Sequence, residues 1–402
     1  MGQVTVDDVR AAQELLTGVV RVTPVEGSRP LSQLVGGPAY LKCENLQRAG
    51  SFKIRGAYVR IARLTDEERA RGVVAASAGN HAQGVALAAR LLGAAATVFM
   101  PVSAPLPKIA ATKAYGARVE LTGEAVDETI ETATAYADEH GAIFIHPFDH
   151  PDIVAGQGTV GLEILDQCPD VRTIAVSTGG GGLAAGLATA VKGIRPDVRV
   201  VGVQAAGAAA FPGSLAEGRP VPLKSMATMA DGIAVGCPGD LTFPLVRDLV
   251  DDMVAVSEEA LSRALLLCLE RAKLVVEPAG VAAVAAIMEE PERFEPPVVA
   301  VLSGGNIDPV LLLRVIQNGM ISAGRYLSFR LRIADRPGEL ARLLALLADA
   351  GANVLDVEHS RTGAKLHLGE VEVALSVETR GEEHCAALLA TLRDSGHTLV
   401  FS

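Results

Sequence analysis

Residues 72–100 read GVVAASAGNHAQGVALAARLLGAAATVFM, and this stretch decides the fold class of the chain. The apolar run at 73–76 predicts a buried strand, residues 80–92 predict a helix, and residues 97–100 predict a second strand. Near-continuous apolar strands separated by helices are typical of parallel sheets that are covered on both faces. The stretch therefore predicts an α/β protein whose ligands bind at the carboxyl ends of the strands.

The alternation continues on both sides of residue 150 and then changes near residue 321. Further strands are predicted at 118–121, 142–146, 173–177, 198–204 and 298–302, and further helices at 106–115, 124–139 and 153–167. Beyond the change, strands are predicted at 327–333, 354–358, 371–377 and 398–401, with helices at 339–348 and 382–393. That βαββαβ order is typical of a ferredoxin-like unit. We therefore predict a catalytic region at 1–320 and a C-terminal domain at 325–402, joined by a linker near 318–324.

Composition excludes several classes of protein. The 402 residues carry a formal charge of −11 without a basic run, which argues against a nucleic-acid partner. The N-terminal residues are acidic where a signal peptide is basic, and the charge-free stretch 173–191 contains four consecutive glycines, so we expect no membrane partner. Five cysteines without a CxxC pair favour a reduced, cytoplasmic protein and no structural zinc; they are Cys43, Cys168, Cys237, Cys268 and Cys385.

Lys53 is the first candidate for chemistry. It lies in residues 51–57, SFKIRGA, between apolar neighbours. Burial of a lysine lowers the pKa of its amine and favours a Schiff base with a carbonyl compound. A surface lysine beside a helix start gives the same pattern, so this segment alone does not decide between the two.

Two loops join a predicted strand to a predicted helix, and each is a candidate for binding an anion. Residues 77–84 read SAGNHAQG, and residues 177–183 read STGGGGL. Unpaired N–H groups at a helix N-terminus bind carboxylate or phosphate, and consecutive glycines let backbone amides surround the anion. An ordinary asparagine cap would explain the first loop equally well, whereas the four glycines favour phosphate binding.

Three weaker patterns complete the candidates. Ser303, in LSGGN at 302–306, follows a predicted strand and could bind a ring nitrogen or form a simple turn. Glu277 precedes Pro278, so it could lie near a ligand or act as a first-turn carboxylate. The HPFDH segment at 146–150 spaces its histidines like metal ligands, but its prolines exclude a helix face, so we predict no metal site.

Four of these segments, in this order, resemble the pyridoxal-phosphate enzymes of fold type II. They are residues 51–57, 77–84, 177–183 and 302–306. The resemblance is closest to the threonine ammonia-lyase (threonine dehydratase) family, in the form with one C-terminal ACT domain. Thr23-Pro24 and residues 41–47 (LKCENLQ) also match, and Ala49 is a departure from the usual Thr, Ser, Val or Gly. The resemblance covers essentially the whole chain. It implies a tryptophan synthase β-like fold of two parallel-sheet domains, with the smaller domain, roughly 50–150, inserted in the larger.

The resemblance also implies a role for individual residues. Lys53 would bind pyridoxal phosphate covalently and act in catalysis, with Phe52 against the cofactor ring. Asn80 would hydrogen-bond the phenolic oxygen, and Ser303 the pyridine nitrogen. The phosphate would be bound by Gly179, Gly180, Gly181, Gly182 and Leu183. The substrate carboxylate would be bound by Ser77, Ala78, Gly79, Asn80 and His81.

The implied activity is β-elimination and deamination of L-threonine to 2-oxobutanoate and ammonia, and of L-serine to pyruvate. The implied context is isoleucine biosynthesis in a cytoplasmic homo-oligomer, a dimer or a tetramer. The C-terminal domain would bind an amino-acid effector, with a branched-chain amino acid as the family expectation. Its effector residues would be Pro337, Gly338, Glu339, Leu340 and Asn353.

Two alternatives are weighed by single residues. Serine racemases resemble this chain but have a second serine in the loop where Ala78 stands, and alanine cannot transfer a proton. The cation site of those racemases needs a carboxylate where this chain has Gln204, so we expect no divalent metal there. The other alternative is a non-catalytic amino-acid sensor on the same fold, against which the intact Lys53, Asn80 and Ser303 argue.

Overall fold

The computed structural model describes residues 4–124, 126–361 and 366–400, and it divides the chain into two compact units, Met1–Leu312 and Leu313–Ser402. The strands are β1 (Val25–Gly27), β2 (Ala39–Lys42), β3 (Val73–Ala76), β4 (Ala96–Met100), β5 (Arg118–Leu121), β6 (Ile143–Phe144), β7 (Thr173–Ser177), β8 (Arg199–Ala205), β9 (Asp252–Val256), β10 (Val298–Val301), β11 (Tyr326–Ala334), β12 (Asn353–Ser360), β13 (Glu370–Glu378) and β14 (Leu399–Val400). The helices are α1 (Val6–Leu16), α2 (Arg29–Val35), α3 (Lys53–Ala62), α4 (Asp66–Ala70), α5 (Asn80–Leu91), α6 (Leu106–Ala114), α7 (Val126–His140), α8 (Pro151–Gln167), α9 (Gly182–Ile194), α10 (Ala210–Glu217), α11 (Thr242–Leu249), α12 (Glu258–Leu267), α13 (Ala282–Glu289), α14 (Pro309–Ser322), α15 (Glu339–Asp349) and α16 (Glu382–Asp394).

The first unit contains two sheets, which confirms the α/β prediction. The larger sheet has the strand order β1-β2-β10-β7-β8-β9, and its neighbours are parallel except for the antiparallel pair β1 and β2. The smaller sheet, β5-β4-β3-β6, is parallel throughout. Its strands lie in the chain between β2 and β7 of the larger sheet. Our domain boundaries, including a smaller domain at about 50–150, stay a prediction.

Helix α3 begins at Lys53 and is held tightly against α8. A Cβ atom on Gly156 would lie 2.6 Å from the Cα atom of Gly56, so the two helix backbones are in direct contact there. On the same helix, the Arg55 side chain is fully buried and donates hydrogen bonds to Glu44 and Glu163. Backbone contact and buried charges together fix the position of the helix that carries the candidate lysine.

The second unit contains one antiparallel sheet with the order β12-β13-β11-β14. Its last strand, β14, pairs with its first strand, β11. Helices α15 and α16 contribute Leu347 and Leu392 to its core. The predicted βαββαβ order is confirmed. Residue 401, the end of the last predicted strand, lies outside the described residues.

The structure differs from the sequence prediction in several elements, two of which bear on the sheets and on the boundary between the units. Three strands of the larger sheet, β1, β2 and β9, were not predicted. Within the predicted linker at 318–324, α14 continues to Ser322, so Gly319 does not break the helix, whereas Gly324 lies just beyond the helix end with a φ of 62°. Gly319 is buried in that helix, and its burial outweighs the roughly 1 kcal/mol by which glycine disfavours a helix relative to alanine.

Candidate active site

The amine of Lys53 lies at the start of α3 and points to the chain segment after β6. Its Nζ atom donates a hydrogen bond to the carbonyl oxygen of Pro147 at 2.8 Å. Burial lowers the pKa of Lys53 to about 8, although the nearby carboxyl of Glu277 acts in the opposite direction. A lysine amine with this pKa is partly neutral near physiological pH, as a nucleophile or general base requires.

The glycine loop connects the end of β7 to the start of α9. Among the described residues, none accepts a hydrogen bond from the five consecutive N–H groups of residues 179–183. The carbonyl oxygens are held instead: that of Thr178 accepts from Gln204 Nε2 at 3.2 Å, and that of Gly180 accepts from Thr242 Oγ1 at 2.6 Å. A loop held through its carbonyls at a helix N-terminus presents its amides to an anion.

Three glycines of this loop have no room for a side chain, among them Gly182, whose Cβ would lie 2.9 Å from the Cβ atom of Phe148. A Cβ atom on Gly180 would lie 2.4 Å from the ring of Phe148. Gly181 has a φ of 101°, in the left-handed region, and its Cβ would lie 2.9 Å from the ring of Phe211. The glycine run is therefore required by close packing and by backbone conformation, and a merely flexible turn does not explain it.

The loop after β3 is the second candidate anion site at a helix start. The hydroxyl of Ser77 accepts the N–H of Gly79 at 3.1 Å, which leaves the hydroxyl proton available to a ligand. Within the described ranges, the N–H groups of Asn80 and His81 have no acceptor. The ring of His81 contacts the carbonyl oxygen of Ile145 at 2.8 Å. Burial lowers the pKa of His81 to about 3, and the charge of Lys53 contributes, so the ring is neutral at physiological pH.

Asn80 also connects this loop to the larger sheet. Its side-chain amide donates to Glu277 Oε1, and its oxygen accepts from Asn306 Nδ2 at 2.8 Å. Burial and the charge of Asp231 raise the pKa of Glu277 to about 7, although Lys108 and Asn80 oppose the shift. Glu277, which the sequence left open, therefore lies in the site.

Ser303 follows β10 and lies directly beside the start of α3. Its carbonyl oxygen accepts the N–H of Phe52 at 3.2 Å, and the next residue, Gly304, forms a β-bridge with Ser51. A Cβ atom on Gly304 would lie 2.3 Å from Glu277 Oε1. The structure thus brings Ser303, Phe52 and Lys53 into one neighbourhood at the carboxyl ends of the strands.

These residues fit an aldehyde that carries a phosphate group. Lys53 supplies an amine of lowered pKa, and the glycine loop supplies five N–H donors. The buried hydroxyl of Ser177, at the start of that loop, has no hydrogen-bond partner among the described residues and is available to a ligand. Pyridoxal phosphate combines an aldehyde and a phosphate in one molecule, and both of them have a complementary group here.

Sequence reasoning missed three participants. The carbonyl oxygen of Pro147 and the ring of Phe148 belong to the HPFDH segment, which we considered only as a metal site. Asn306 stands at the end of the quoted LSGGN segment, but its contact with Asn80 spans 226 residues of sequence. A backbone carbonyl carries no sequence signal, so only the packing could reveal the role of the Pro147 carbonyl oxygen.

The two histidines of the HPFDH segment have structural partners. His146 Nδ1 accepts the N–H of Asp149 at 2.7 Å, and His150 caps α8 by accepting the N–H of Asp152 at 3.1 Å. Gln204 is held by Thr178 and by the N–H of Phe211. Over the described part of the chain, no group of three or more His, Cys, Asp or Glu side chains is arranged to hold a metal ion. Nor does this part contain a helix that is long and apolar enough to span a membrane.

The predicted effector residues of the second unit do not meet within one copy of it. Residues 337–340 lie at the start of α15, and the φ of Gly338 is 91°. Asn353 follows the other end of this 11-residue helix, about 16 Å away at 1.5 Å per residue. Strand pairing agrees, because Ala334 lies opposite Glu370 whereas Asn353 lies opposite Glu378.

Comparison with known proteins agrees with this geometry. Residues 16–304 match the family of pyridoxal-phosphate dependent enzymes, and residues 327–394 match the ACT domain family. The L-threonine ammonia-lyase of Thermotoga maritima is 47% identical over 394 residues, which cover 98% of each chain. The crystal structure of the threonine deaminase of T.th. has a TM-score of 0.72 at 42% identity, covering 76% of this chain and 99% of that one. Maize serine racemase has a TM-score of 0.75 at 38% identity, covering 78% and 97%.

The relative from Thermotoga maritima extends through both units, whereas the two solved structures cover about three quarters of this chain. The fold type II prediction and the pyridoxal-phosphate prediction are confirmed. This chain therefore belongs to the L-threonine ammonia-lyase family of pyridoxal-phosphate dependent enzymes, in the form that carries a C-terminal ACT domain.

Proposed function

We propose that this chain deaminates L-threonine to 2-oxobutanoate and ammonia, and L-serine to pyruvate and ammonia. The observation that carries the proposal is the lowered pKa of Lys53 in a site that also contains Asn80, Ser303 and the glycine loop. The reaction removes the Cα proton and the β-hydroxyl group. Water is lost in this elimination and regained when the resulting imine is hydrolysed, so the net products are the 2-oxo acid and ammonia.

Lys53 is the proposed catalytic base. Its partly neutral amine can accept the Cα proton, and its hydrogen bond to Pro147 holds the Nζ atom in a defined place. When bound, pyridoxal phosphate supplies the sink for the electrons of the breaking Cα–H bond. Ser303 would be a neutral partner for the pyridine nitrogen, and Phe52 lies beside the lysine.

Substrate orientation is the proposed role of the loop after β3. Its free N–H groups at the start of α5, together with the hydroxyl of Ser77, would bind the substrate carboxylate. Asn80 would bind the phenolic oxygen of the cofactor, and Gly79 and His81 would shape this side of the pocket. Holding the carboxylate and the cofactor together directs the Cα–H bond towards Lys53.

Racemisation is the alternative activity, since serine racemases are among the structural neighbours. A racemase needs a second acid–base group on the opposite face of the substrate. Ala78 stands in the loop where that group would be needed, and its methyl group cannot carry a proton. We therefore expect elimination to dominate.

The test is release of 2-oxo acid by the purified, cofactor-loaded protein from L-threonine, L-serine and D-serine, with D-serine formation measured in parallel. Lys53→Ala should abolish turnover, and Lys113→Ala, which removes an exposed lysine on α6, should leave it unchanged. Turnover retained by Lys53→Ala would contradict the assignment. Dominant formation of D-serine would favour the racemase, and a protein that binds no cofactor would favour the sensor.

For the ACT unit we propose a binding site for a branched-chain amino acid between two copies. The start of α15, with Pro337, Gly338, Glu339 and Leu340, would bind the effector carboxylate, and Asn353 of a second copy would bind its amine. The distance between these two parts within one copy supports a homo-oligomer, a dimer or a tetramer. Turnover that is unchanged by isoleucine and valine, or a monomeric protein in light scattering, would contradict this proposal.

We further propose a cytoplasmic location and a place in isoleucine biosynthesis. The five cysteines are unpaired, which suits a reducing compartment. An effector that differs in affinity between two states of the enzyme would give feedback control. A mutant strain that lacks this chain and still grows without added isoleucine would contradict the biosynthetic role.

A further inference from the structure

Residues 146–149 lie between β6 and α8 and contact both halves of the site. On one side, the carbonyl oxygen of Pro147 accepts the hydrogen bond of Lys53 at 2.8 Å. On the other side, the ring of Phe148 lies beside the glycine loop, 2.4 Å from where a Cβ atom on Gly180 would be. The Cβ atom of Phe148 lies 2.9 Å from where a Cβ atom on Gly182 would be. The reaction proposed above uses only the Pro147 carbonyl of this segment and gives His146, Phe148 and Asp149 no role.

Asp149 is the residue that fixes the segment in place. Its Oδ1 atom accepts the N–H groups of Leu241 and Thr242, each at 3.0 Å. Thr242 in turn donates from its hydroxyl to the carbonyl oxygen of Gly180 at 2.6 Å. Asp149 is therefore connected to the glycine loop through one intermediate residue. Gly239 leaves the space that the carboxylate occupies, since a Cβ atom there would lie 2.1 Å from Asp149 Oδ1.

The lysine side of the segment is held by His146. Its Nδ1 atom accepts the N–H groups of Asp149 at 2.7 Å and of Phe148 at 3.3 Å. Burial lowers the pKa of His146 to about 4, so the ring is neutral and can accept at Nδ1 at physiological pH. These bonds close a tight turn around Pro147, whose carbonyl oxygen faces Lys53.

We propose that residues 146–149 form a bridge in which Asp149 is a positioning residue that sets the distance between Lys53 and the glycine loop. This inference rests on the proposed function, because it assumes that the lysine and the loop bind one cofactor. A ligand that is covalently bound at one end and held by its phosphate at the other requires a fixed separation of the two groups. A backbone carbonyl at one end and a hydrogen-bonded loop carbonyl at the other provide it.

The test uses the full-length apoprotein and two fragments of the cofactor. Pyridoxal reports on Lys53, through an adduct trapped with borohydride, and inorganic phosphate reports on the glycine loop. Asp149→Ala should weaken the binding of pyridoxal phosphate and of inorganic phosphate by roughly tenfold, since two N–H groups lose their acceptor. It should also slow the reaction of pyridoxal with Lys53. Asp149→Asn keeps an Oδ1 acceptor and should restore all three to within about twofold.

Two further variants separate positioning from general loss of structure. Thr242→Val removes only the hydroxyl that holds Gly180 and should weaken phosphate binding while leaving the reaction of pyridoxal unchanged. Asp251→Ala is the matched control, because Asp251 also accepts a backbone N–H, that of Val200 at 2.7 Å. Val200 lies at the start of β8, away from the carboxyl ends of the strands where the site lies. Asp251→Ala should change neither measurement.

Each remaining outcome decides the matter. Wild-type affinity of Asp149→Ala for both fragments, or an equal loss in Asp149→Asn, would overturn the bridge. If Asp149→Ala does not fold, wild-type phosphate affinity of Thr242→Val would overturn it instead. A wild-type protein whose adduct forms at a lysine other than Lys53 would refute the proposed function and not the bridge alone.

Discussion

Replacement of Arg55 by methionine should destabilise the first unit strongly, because it removes one charge from a buried network. The Arg55 guanidinium donates to both oxygens of Glu44 at 2.8 Å and to both oxygens of Glu163 at 2.7 and 3.0 Å. Lys42 Nζ completes the network at 2.6 Å from Glu163. The side chains of Arg55, Glu44 and Lys42 are fully buried, and that of Glu163 is 7% exposed. Two positive charges therefore balance two negative charges in surroundings that are almost free of water.

Without Arg55, Glu44 keeps only the hydroxyl of Thr23, at 2.6 Å, as a side-chain partner among the described residues. Breaking a buried ion pair by removing one partner costs about 3–5 kcal/mol, since a buried charge is left uncompensated. At roughly 2 °C per kcal/mol for a unit of this size, the midpoint of thermal unfolding should fall by about 6–10 °C. Urea unfolding followed by circular dichroism measures the free energy directly.

The loss should depend on pH in a defined direction. Burial alone would raise the pKa of Glu44, but the charge and hydrogen bonds of Arg55 outweigh burial and hold this pKa below its usual value. In Arg55→Met the main opposing effect is gone, and only the weaker effects of the Lys42 charge and the Thr23 hydroxyl still lower this pKa. The pKa of Glu44 in the folded state should therefore rise above that of the unfolded chain. Stability of the variant is then retained at low pH and lost as pH rises through the raised pKa. The difference from wild type should be smaller at pH 5 than at pH 8.

Two control variants sharpen this experiment. Arg60→Met, on the same helix, removes a partly exposed partner of Asp152 at 3.5 Å and should cost less than about 1 kcal/mol. Arg55→Met combined with Glu44→Gln restores the balance of charge and should recover part of the loss. A stability of Arg55→Met within about 1 kcal/mol of wild type, or a loss that does not change with pH, would refute the reasoning.

Three further predictions concern the site. Gly180→Ala places a Cβ atom 2.4 Å from the ring of Phe148 and should weaken binding of pyridoxal phosphate by roughly tenfold, as measured by titration of the apoprotein. Gly213→Ala is the control and should have no effect, because a Cβ atom at Gly213 meets no atom within 4 Å. The rate at which the apoprotein reacts with pyridoxal phosphate should rise as pH increases through about 8, where Lys53 loses its proton, and a flat profile in stopped-flow absorbance would contradict this. Burial raises the pKa of Glu277 to about 7, so the stability that Glu277 contributes is present below pH 4.5 and lost by about pH 7. Glu277→Gln should therefore gain stability relative to wild type between pH 5 and pH 8. A difference in thermal unfolding that stays constant over this range would show that Glu277 does not titrate there.

The fold was largely predictable because its signals are local. The run at 73–76 and the run at 173–177 form strands with the predicted bounds, since each is short, apolar and followed by glycine or serine within a few residues. β2 was missed for a physical reason. Its lysine, Lys42, reads as a surface residue, but its amine is buried against Glu163, which is 121 residues away in sequence. A buried charge cannot be recognised without its partner.

The sequence by itself determined the α/β class, the C-terminal βαββαβ order, and the lysine and glycine loop that suit pyridoxal phosphate. These depend on periodicity, on turn chemistry and on residue types within a few positions. Only the tertiary structure decided which groups surround them. Lys53 meets the carbonyl of Pro147 across 94 residues, and Asn80 meets Glu277 across 197. Such contacts depend on how helices and sheets pack, and packing is set by the shape of the whole core, so no local pattern contains it.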